Sequence, residues 1–167
     1  MTDKQFWMKA DQISDSHKPI EEKAELMAAL LKTAYDENLN MVILYREQSG
    51  GTRHHLYMNL DDEHANTIGN RSLLCYTSKR KADQDLRAKQ NGLHWGYSSC
   101  QDILNNFFNK AIVGNLIFNC YSMDLIITVS KDTLLQHIPG PHPLPPDFVE
   151  APAAMGYPEI DPKYMTR

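Results

Sequence analysis

The amino-acid sequence predicts a single α/β domain, a mixed sheet of five or six strands with flanking helices, followed by an extended proline-rich tail. Three observations carry this expectation. Short apolar runs of strand length recur at Met41–Tyr45, Ser72–Tyr76, Gly114–Asn119 and Leu125–Thr128. Between them lie stretches in which apolar residues return every three or four positions, the spacing of one helix face. Eight of the nine prolines then fall between Pro139 and Pro162. Proline fixes φ and has no backbone donor, so that stretch is extended. A chain of 167 residues with 42% apolar and 23% charged composition suits one globular domain plus a tail. The expected division is an N-terminal arm at 1–17, the α/β domain at 18–138 and the extension at 139–167.

The arm is polar, with Phe6 and Trp7 as isolated hydrophobes; it is either a frayed end or a segment docked by those two rings. A helix begins at Pro19, which suits an early helical position, with Ser16 or Asp15 as cap. Ile20, Ala24, Met27, Leu31 and Ala34 share one face, widened by Leu26, Leu30 and Tyr35. Glu21, Glu22 and Glu25 favour the positive end of the helix dipole, and Asn38 ends the helix. Met41–Tyr45 reads as a strand buried on both faces. Gly50-Gly51 then turns the chain into the alternating segment His55–Leu60, a hairpin signature. Asp61–Asn70 is a polar loop, and Ser72–Tyr76 is a third strand.

Ser78 caps a charged helix running to about Gln90, with Ala82 and Leu86 as its core contacts, and Asn91-Gly92 stops it. Trp95–Ser98 is extended. Ser98 and Gln101 have the spacing of a capping box. They open a helix that carries Ile103, Leu104, Phe107, Phe108 and Ala111 on one face and Asn105, Asn106 and Asn109 on the other. Gly114–Asn119 is a strand, Cys120–Asp124 a turn and Leu125–Thr128 a strand. Ser130 caps a last short helix ending near His137.

Composition narrows the function classes. Net charge is −4, and residues 39–137 balance ten basic against nine acidic residues. No segment has the positive excess that a nucleic-acid backbone rewards through counterion release. The longest apolar run is far short of the ~18 residues of a membrane helix. The N-terminus lacks the apolar core of a signal peptide. Cys75, Cys100 and Cys120 are three in number, with no CxxC pair, so they read as reduced thiols in a cytoplasmic protein.

No constellation of residues compels a chemistry. His17, His54, His55, His64, His94, His137 and His142 include no pair spaced four apart on a helix, as a zinc site would want. Asp61, Asp62, Glu63 and His64 are the densest set of possible ligands, but they lack the order of a calcium loop. Neither a metal nor another cofactor is therefore expected. Phe107 and Phe108 read as core. Thr77-Ser78-Lys79 follows a strand and opens a helix, as phosphate sites do, without the glycines that let amides wrap a phosphate. There is no nucleophile elbow, and no catalytic residue is assigned. The alternative to a non-enzymatic protein is a thiol enzyme using Cys120, just past a strand end, or Cys100, in the first turn of a helix.

Three stretches, SLLCYTSKRKAD, SSCQDILNNFFNK and IVGNLIFNCYSMDLIITVSKDTLLQHIPG, together resemble the N-terminal domain of the SseB-like family, named for enhanced serine sensitivity in bacteria. The resemblance covers about two-thirds of the chain. Cys120 stands where that family's turn is expected to carry proline. The resemblance implies a mixed α/β domain and a binding or accessory role, with no catalytic residues to carry over. The expected function is thus a bacterial protein-interaction module. Its expected surface is the Asn119–Asp124 turn, with Asn119, Tyr121, Ser122 and Asp124, beside Trp95 and Tyr97. Its expected partner is a protein or a second copy, with homodimerisation through the tail as one form.

Overall fold

The computed structural model describes residues 1–47, 53–55, 57–59 and 69–144. The chain starts with a helix, α1 (Asp3–Asp15). Thr2 caps it reciprocally: its hydroxyl accepts from Gln5 N, and the Gln5 side chain accepts from Thr2 N. Phe6, Ala10 and Ser14, four apart, turn one face of α1 inward. The expected arm is therefore docked, by Phe6 above all, and it is a full helix of the domain. Its apolar stripe is too thin to read from periodicity, because the rest of its buried face is Asp11 and Ser14.

Helix α2 (Ile20–Asp36) follows with Pro19 as N-cap; Ser16 caps the end of α1 instead. The buried face of α2 is Lys23, Met27, Ala28, Leu30, Leu31 and Ala34. Ile20 is 63% exposed and Leu26 lies outward, so the face is rotated from the expected one. Lys23 shows why: its stem packs inward and its Nζ donates to Ser14 O at 2.8 Å, closing the end of α1. Asn38, with φ +48°, ends the helix as expected.

Among the described residues, seven strands form one mixed sheet, against the five or six expected: β1 (Asn40–Glu47), β2 (Arg53–His55), β3 (Tyr57–Asn59), β4 (Arg71–Tyr76), β5 (His94–Ser99), β6 (Val113–Phe118) and β7 (Ile127–Ser130). The hydrogen-bonded path runs β2-β1-β4-β6-β7, with β3 on β4 and β5 on β1. β1 and β2 pair antiparallel through Tyr45↔His55, but of the expected second hairpin strand, His55–Leu60, the stretch Tyr57–Asn59 pairs with β4 instead of β1. The Gly50-Gly51 turn, the Asp61–His64 cluster and the tail beyond Leu144 lie outside the described residues. Strands β4 and β6 are parallel, and both β6–β7 and β1–β5 are antiparallel. Gly114 in β6 is required by close approach, since a Cβ there would stand 2.3 Å from Gly69 O.

The expected helix after Ser78 is two short ones, α3 (Lys79–Asp83) and α4 (Leu86–Gln90). Asp85 breaks it by accepting from Ala88 N, a cap that competes with helix continuation. Leu86 is 67% exposed, and Ala88 takes the core position expected for it. Helix α5 (Cys100–Asn109) is capped by Ser99, one residue later than expected. Asn105 is buried in it, accepting from the Tyr35 hydroxyl at 2.6 Å, while Ala111 is exposed. Helix α6 (Lys131–His137) is capped by Ser130 as expected.

One face of the sheet packs the main core, with Phe6, Met27, Leu31, Ile103, Phe107, Leu116 and Phe118. The other carries Val42, Leu44, Leu74, Tyr76 and Ile117, covered by Ala82, Ala88 and Leu93 of the α3–α4 segment.

Candidate functional site

In open α/β sheets, ligands bind beyond the carboxyl ends of parallel strands, where crossover segments leave a crevice. Here those ends are Tyr76 of β4 and Phe118 of β6. Helix α1 crosses this end of the sheet. Trp7 Nε1 donates to Asn40 O at 2.9 Å at the start of β1, and Ser14 Oγ donates to Leu125 O at 2.6 Å just before β7.

Between those anchors lies a buried polar lattice. Asn119 follows β6 with φ +58°, a region where Asn is tolerated better than most side chains. Its Oδ1 accepts from Thr77 N at 3.1 Å, and its Nδ2 donates to Thr77 Oγ1 at 2.9 Å and Ser14 Oγ at 3.0 Å. The Thr77 hydroxyl donates to Asp11 Oδ1 at 2.7 Å, and the Ser78 hydroxyl to Asp11 Oδ2 at 2.8 Å. Arg80 reaches the same Asp11 oxygen at 3.2 Å. The Thr77-Ser78 turn, which echoes a phosphate site, is thus filled by a carboxylate of the chain's own first helix. Asn119 is 3% exposed. It is a latch holding three elements together, with its polar atoms used internally, and it also lines the cavity beside the lattice.

Beside the lattice opens a cavity of about 330 Å³, lined by Tyr76, Lys81, Asp85, Leu86, Arg87, Tyr121, Ser122 and their neighbours. Asp85 is fully engaged: Oδ2 accepts from the Tyr76 hydroxyl at 2.5 Å, and Oδ1 from Ala88 N at 3.0 Å. Tyr121 is 8% exposed, and its hydroxyl is buried without a hydrogen-bond partner. Burial pushes the Tyr121 phenol up, with the charges of Cys120 and Asp85 adding and those of Arg46 and Arg87 opposing. It therefore stays protonated at neutral pH.

The expected surface divides in two. Tyr121 and Ser122 line the cavity, and Asp124 lies exposed in a single 3-10 turn, Met123–Leu125. Trp95 and Tyr97 are elsewhere, on β5, opposite Leu44 and Val42. Strands β1 and β4 separate β5 from β6, about 14 Å at ordinary strand spacing. Tyr97 stacks on Trp7 at 5.2 Å between centroids, and Trp95 meets Tyr97 edge-on at 5.5 Å. This triad fixes α1 against the edge strand.

All three cysteines are buried. Burial pushes the Cys75 thiol up to about 12 and raises Cys100 and Cys120 as well, with no cation among the causes. A nucleophilic thiol needs the opposite surroundings, accessible and electropositive, so neither Cys120 nor Cys100 is placed to act as one. The native protein is expected to leave all three thiols unmodified by a chromogenic disulfide reagent at pH 8 over minutes, and to expose all three in denaturant. A fast phase from the folded protein would contradict this.

Among the described residues, no three His, Cys, Asp or Glu side chains are grouped to hold a metal ion. His137 faces Glu25 at 3.1 Å, His142 stacks on Phe108 and His94 on Tyr45. No helix of the described residues is long and apolar enough to cross a membrane. Comparisons with protein-family models, curated proteins and solved structures found no match to this chain.

Sequence reasoning missed Asp85, Arg87 and Lys81 as lining residues, since they read as one solvated charged helix. Asp85 seven residues after Ser78 was a second cap signal within that stretch. Nothing local marked Asp11, whose partners are 66 and 67 positions away.

Proposed function

We propose that this chain is a non-enzymatic, cytoplasmic bacterial protein-interaction module of the SseB-like kind, which seats part of a protein partner in the cavity beside Tyr121. The observation that carries this reading is the cavity itself, walled by Tyr121 and Ser122 and bearing the exposed Leu86. Recognition sites combine such apolar contact area with a few convergent polar groups. The acid and base that meet at the cavity are committed within the fold. Tyr76 and Asp85 are bonded to each other, and Asp85 also caps α4.

The test is affinity capture from the native bacterium with the full chain, comparing the natural sequence with Leu86→Arg. Leu86 is mostly solvent-exposed, so the change spares the core. A stoichiometric protein captured by the natural chain and lost with Leu86→Arg is expected. Capture unaffected by Leu86→Arg would refute this face, and no stoichiometric protein at all would refute the module.

A further inference from the structure

Strand β5 ends the sheet beyond β1. It pairs with β1 over its whole length, from His94 to Ser99, without a register shift. Among the described residues, no other strand lies on its far side. The strand at the opposite end, β7, is four residues long and runs straight into α6, which blunts it as a template. β5 lacks the devices that usually guard a long edge. Its sequence, HWGYSS, contains no proline and no Lys, Arg, Asp or Glu.

The direction of each backbone group in β5 follows from its neighbours. In an antiparallel pair, successive residues point their N–H and C=O alternately toward the partner strand and away from it. Cys100 N donates to Leu39 O at 2.8 Å, toward β1. Steps of two place Ser98, Gly96 and His94 the same way. Asn40, opposite Ser99, is turned away from β5: its N–H donates to Asp3 Oδ1 and its carbonyl accepts from Trp7 Nε1, both at 2.9 Å. Both observations leave the N–H and C=O of Trp95 and Tyr97 pointing outward. Ser99 points outward as well, but it is the N-cap of α5, and a cap carbonyl accepts the first bond of its helix. Trp95 and Tyr97 are therefore the pair that offers a donor and an acceptor each along the edge.

Their side chains mark the same place. Tyr97 is 47% exposed, with its ring held by stacking on Trp7 and by the edge of Trp95. A strand laid here must supply alternate donors and acceptors. The segment from Pro139 to Pro162, with its eight prolines, is poorly suited, since proline has no N–H to give. A second copy of β5 fits. Laid antiparallel about a two-fold axis at Gly96, it sets Trp95 of each copy opposite Tyr97 of the other. Each of these residues then exchanges both backbone bonds, and the opposed rings lie on one face as a stabilising cross-strand aromatic pair. The strand carries no formal charge, so no like charges are opposed.

We propose that the protein forms a homodimer by antiparallel pairing of β5 with β5 of a second copy around Gly96, joining two sheets into one. The contact is isologous, as a two-fold dimer requires. It lies across β1 and β4 from the turn that bears Tyr121, and it stands or falls independently of the cavity beside that residue.

The test uses the full chain at about 0.15 M salt, where repulsion between two copies of net charge −4 is screened. Sedimentation from roughly 10 µM to 1 mM is expected to show a reversible monomer–dimer equilibrium, as a small contact gives. Amide hydrogen exchange of the 15N-labelled chain over the same range locates the contact. The Trp95 and Tyr97 amides are expected to slow by about ten-fold or more as the dimer fills, while Gly96 and Ser98, already bonded to β1, are slow throughout. Tyr97→Pro removes an N–H that β1 does not use, as an edge strand tolerates. It is expected to remain monomeric at concentrations where the natural chain is dimeric, with its folded state checked by circular dichroism.

A full chain that is monomeric at every concentration would overturn the proposal, whether the edge then serves the tail or another protein. A dimer in which the Trp95 and Tyr97 amides exchange as fast as in the monomer would overturn β5 as the contact, and so would a folded Tyr97→Pro that still dimerises. The exchange pattern is read on the natural chain and decides the matter even where Tyr97→Pro does not fold.

Discussion

Phe6→Ala is expected to destabilise the protein by about 3–5 kcal/mol, measured as a shift in the urea midpoint at unchanged slope. Phe6 is 2% exposed and belongs to the same core as Met27, Leu31, Phe118 and Ile127. Truncating it loses the transfer free energy of a phenyl ring and leaves a cavity at the junction of α1, α2 and the sheet. The size of the loss separates two pictures of the N-terminus. An arm merely resting on a complete domain would cost little and would release α1 without a change in the main transition. A helix that completes the core lowers the stability of the whole domain in one transition. A loss below about 1 kcal/mol would mean the domain begins after α1.

Asp11→Ala is expected to cost about 2–4 kcal/mol in the same measurement, although it removes no apolar surface. The two hydroxyls of Thr77 and Ser78 donate to its two oxygens. Without the carboxylate, both donors are left in a buried site, at about 1–3 kcal/mol for each that finds no other acceptor. Asp11→Asn is expected to lose nearly as much, since one oxygen becomes an N–H facing a hydroxyl donor. Thr77→Val deletes one of those donors, so Asp11→Ala and Thr77→Val together are expected to cost less than their sum. Additive losses would mean that the lattice is not a coupled unit. Arg80, on the exposed side of Asp11, contributes little by comparison, because half-exposed ion pairs are screened by water.

Local signals were sufficient where the chain meets only itself. Ser130 and Asn38 cap and end their helices through groups within a few residues. The strands at Met41–Tyr45, Ser72–Tyr76 and Gly114–Asn119 announce themselves by apolar runs that fit no other element of that length. The pairing of β1 with β2 joins two strand-length segments close in sequence. The mixed α/β architecture was legible for the same reason.

The candidate site was legible in part. Tyr121 and Ser122 stand out because an irregular turn after a strand end is where α/β domains leave a crevice. Asn119 was read as surface because a polar residue in a turn usually faces water. Its burial comes from α1, whose own helical character rests on a capping box and a thin stripe. Trp95 and Tyr97 were grouped with the turn because their strand position gives no information about which neighbour the strand takes.

The sequence by itself determined the fold class, most element boundaries and the residues at the Asn119–Asp124 turn. Periodicity, caps and turn residues act over one or two turns of chain, and those are the ranges a linear reading spans. Tertiary structure alone decided that Asp11 fills the Thr77–Ser78 turn, that Asn119 is a latch, that Leu86 faces solvent, and that the Tyr121 hydroxyl lies buried without a partner. Each of these depends on which distant segment supplies or withholds a hydrogen-bond partner, and partners tens of residues apart leave no periodic trace in the chain.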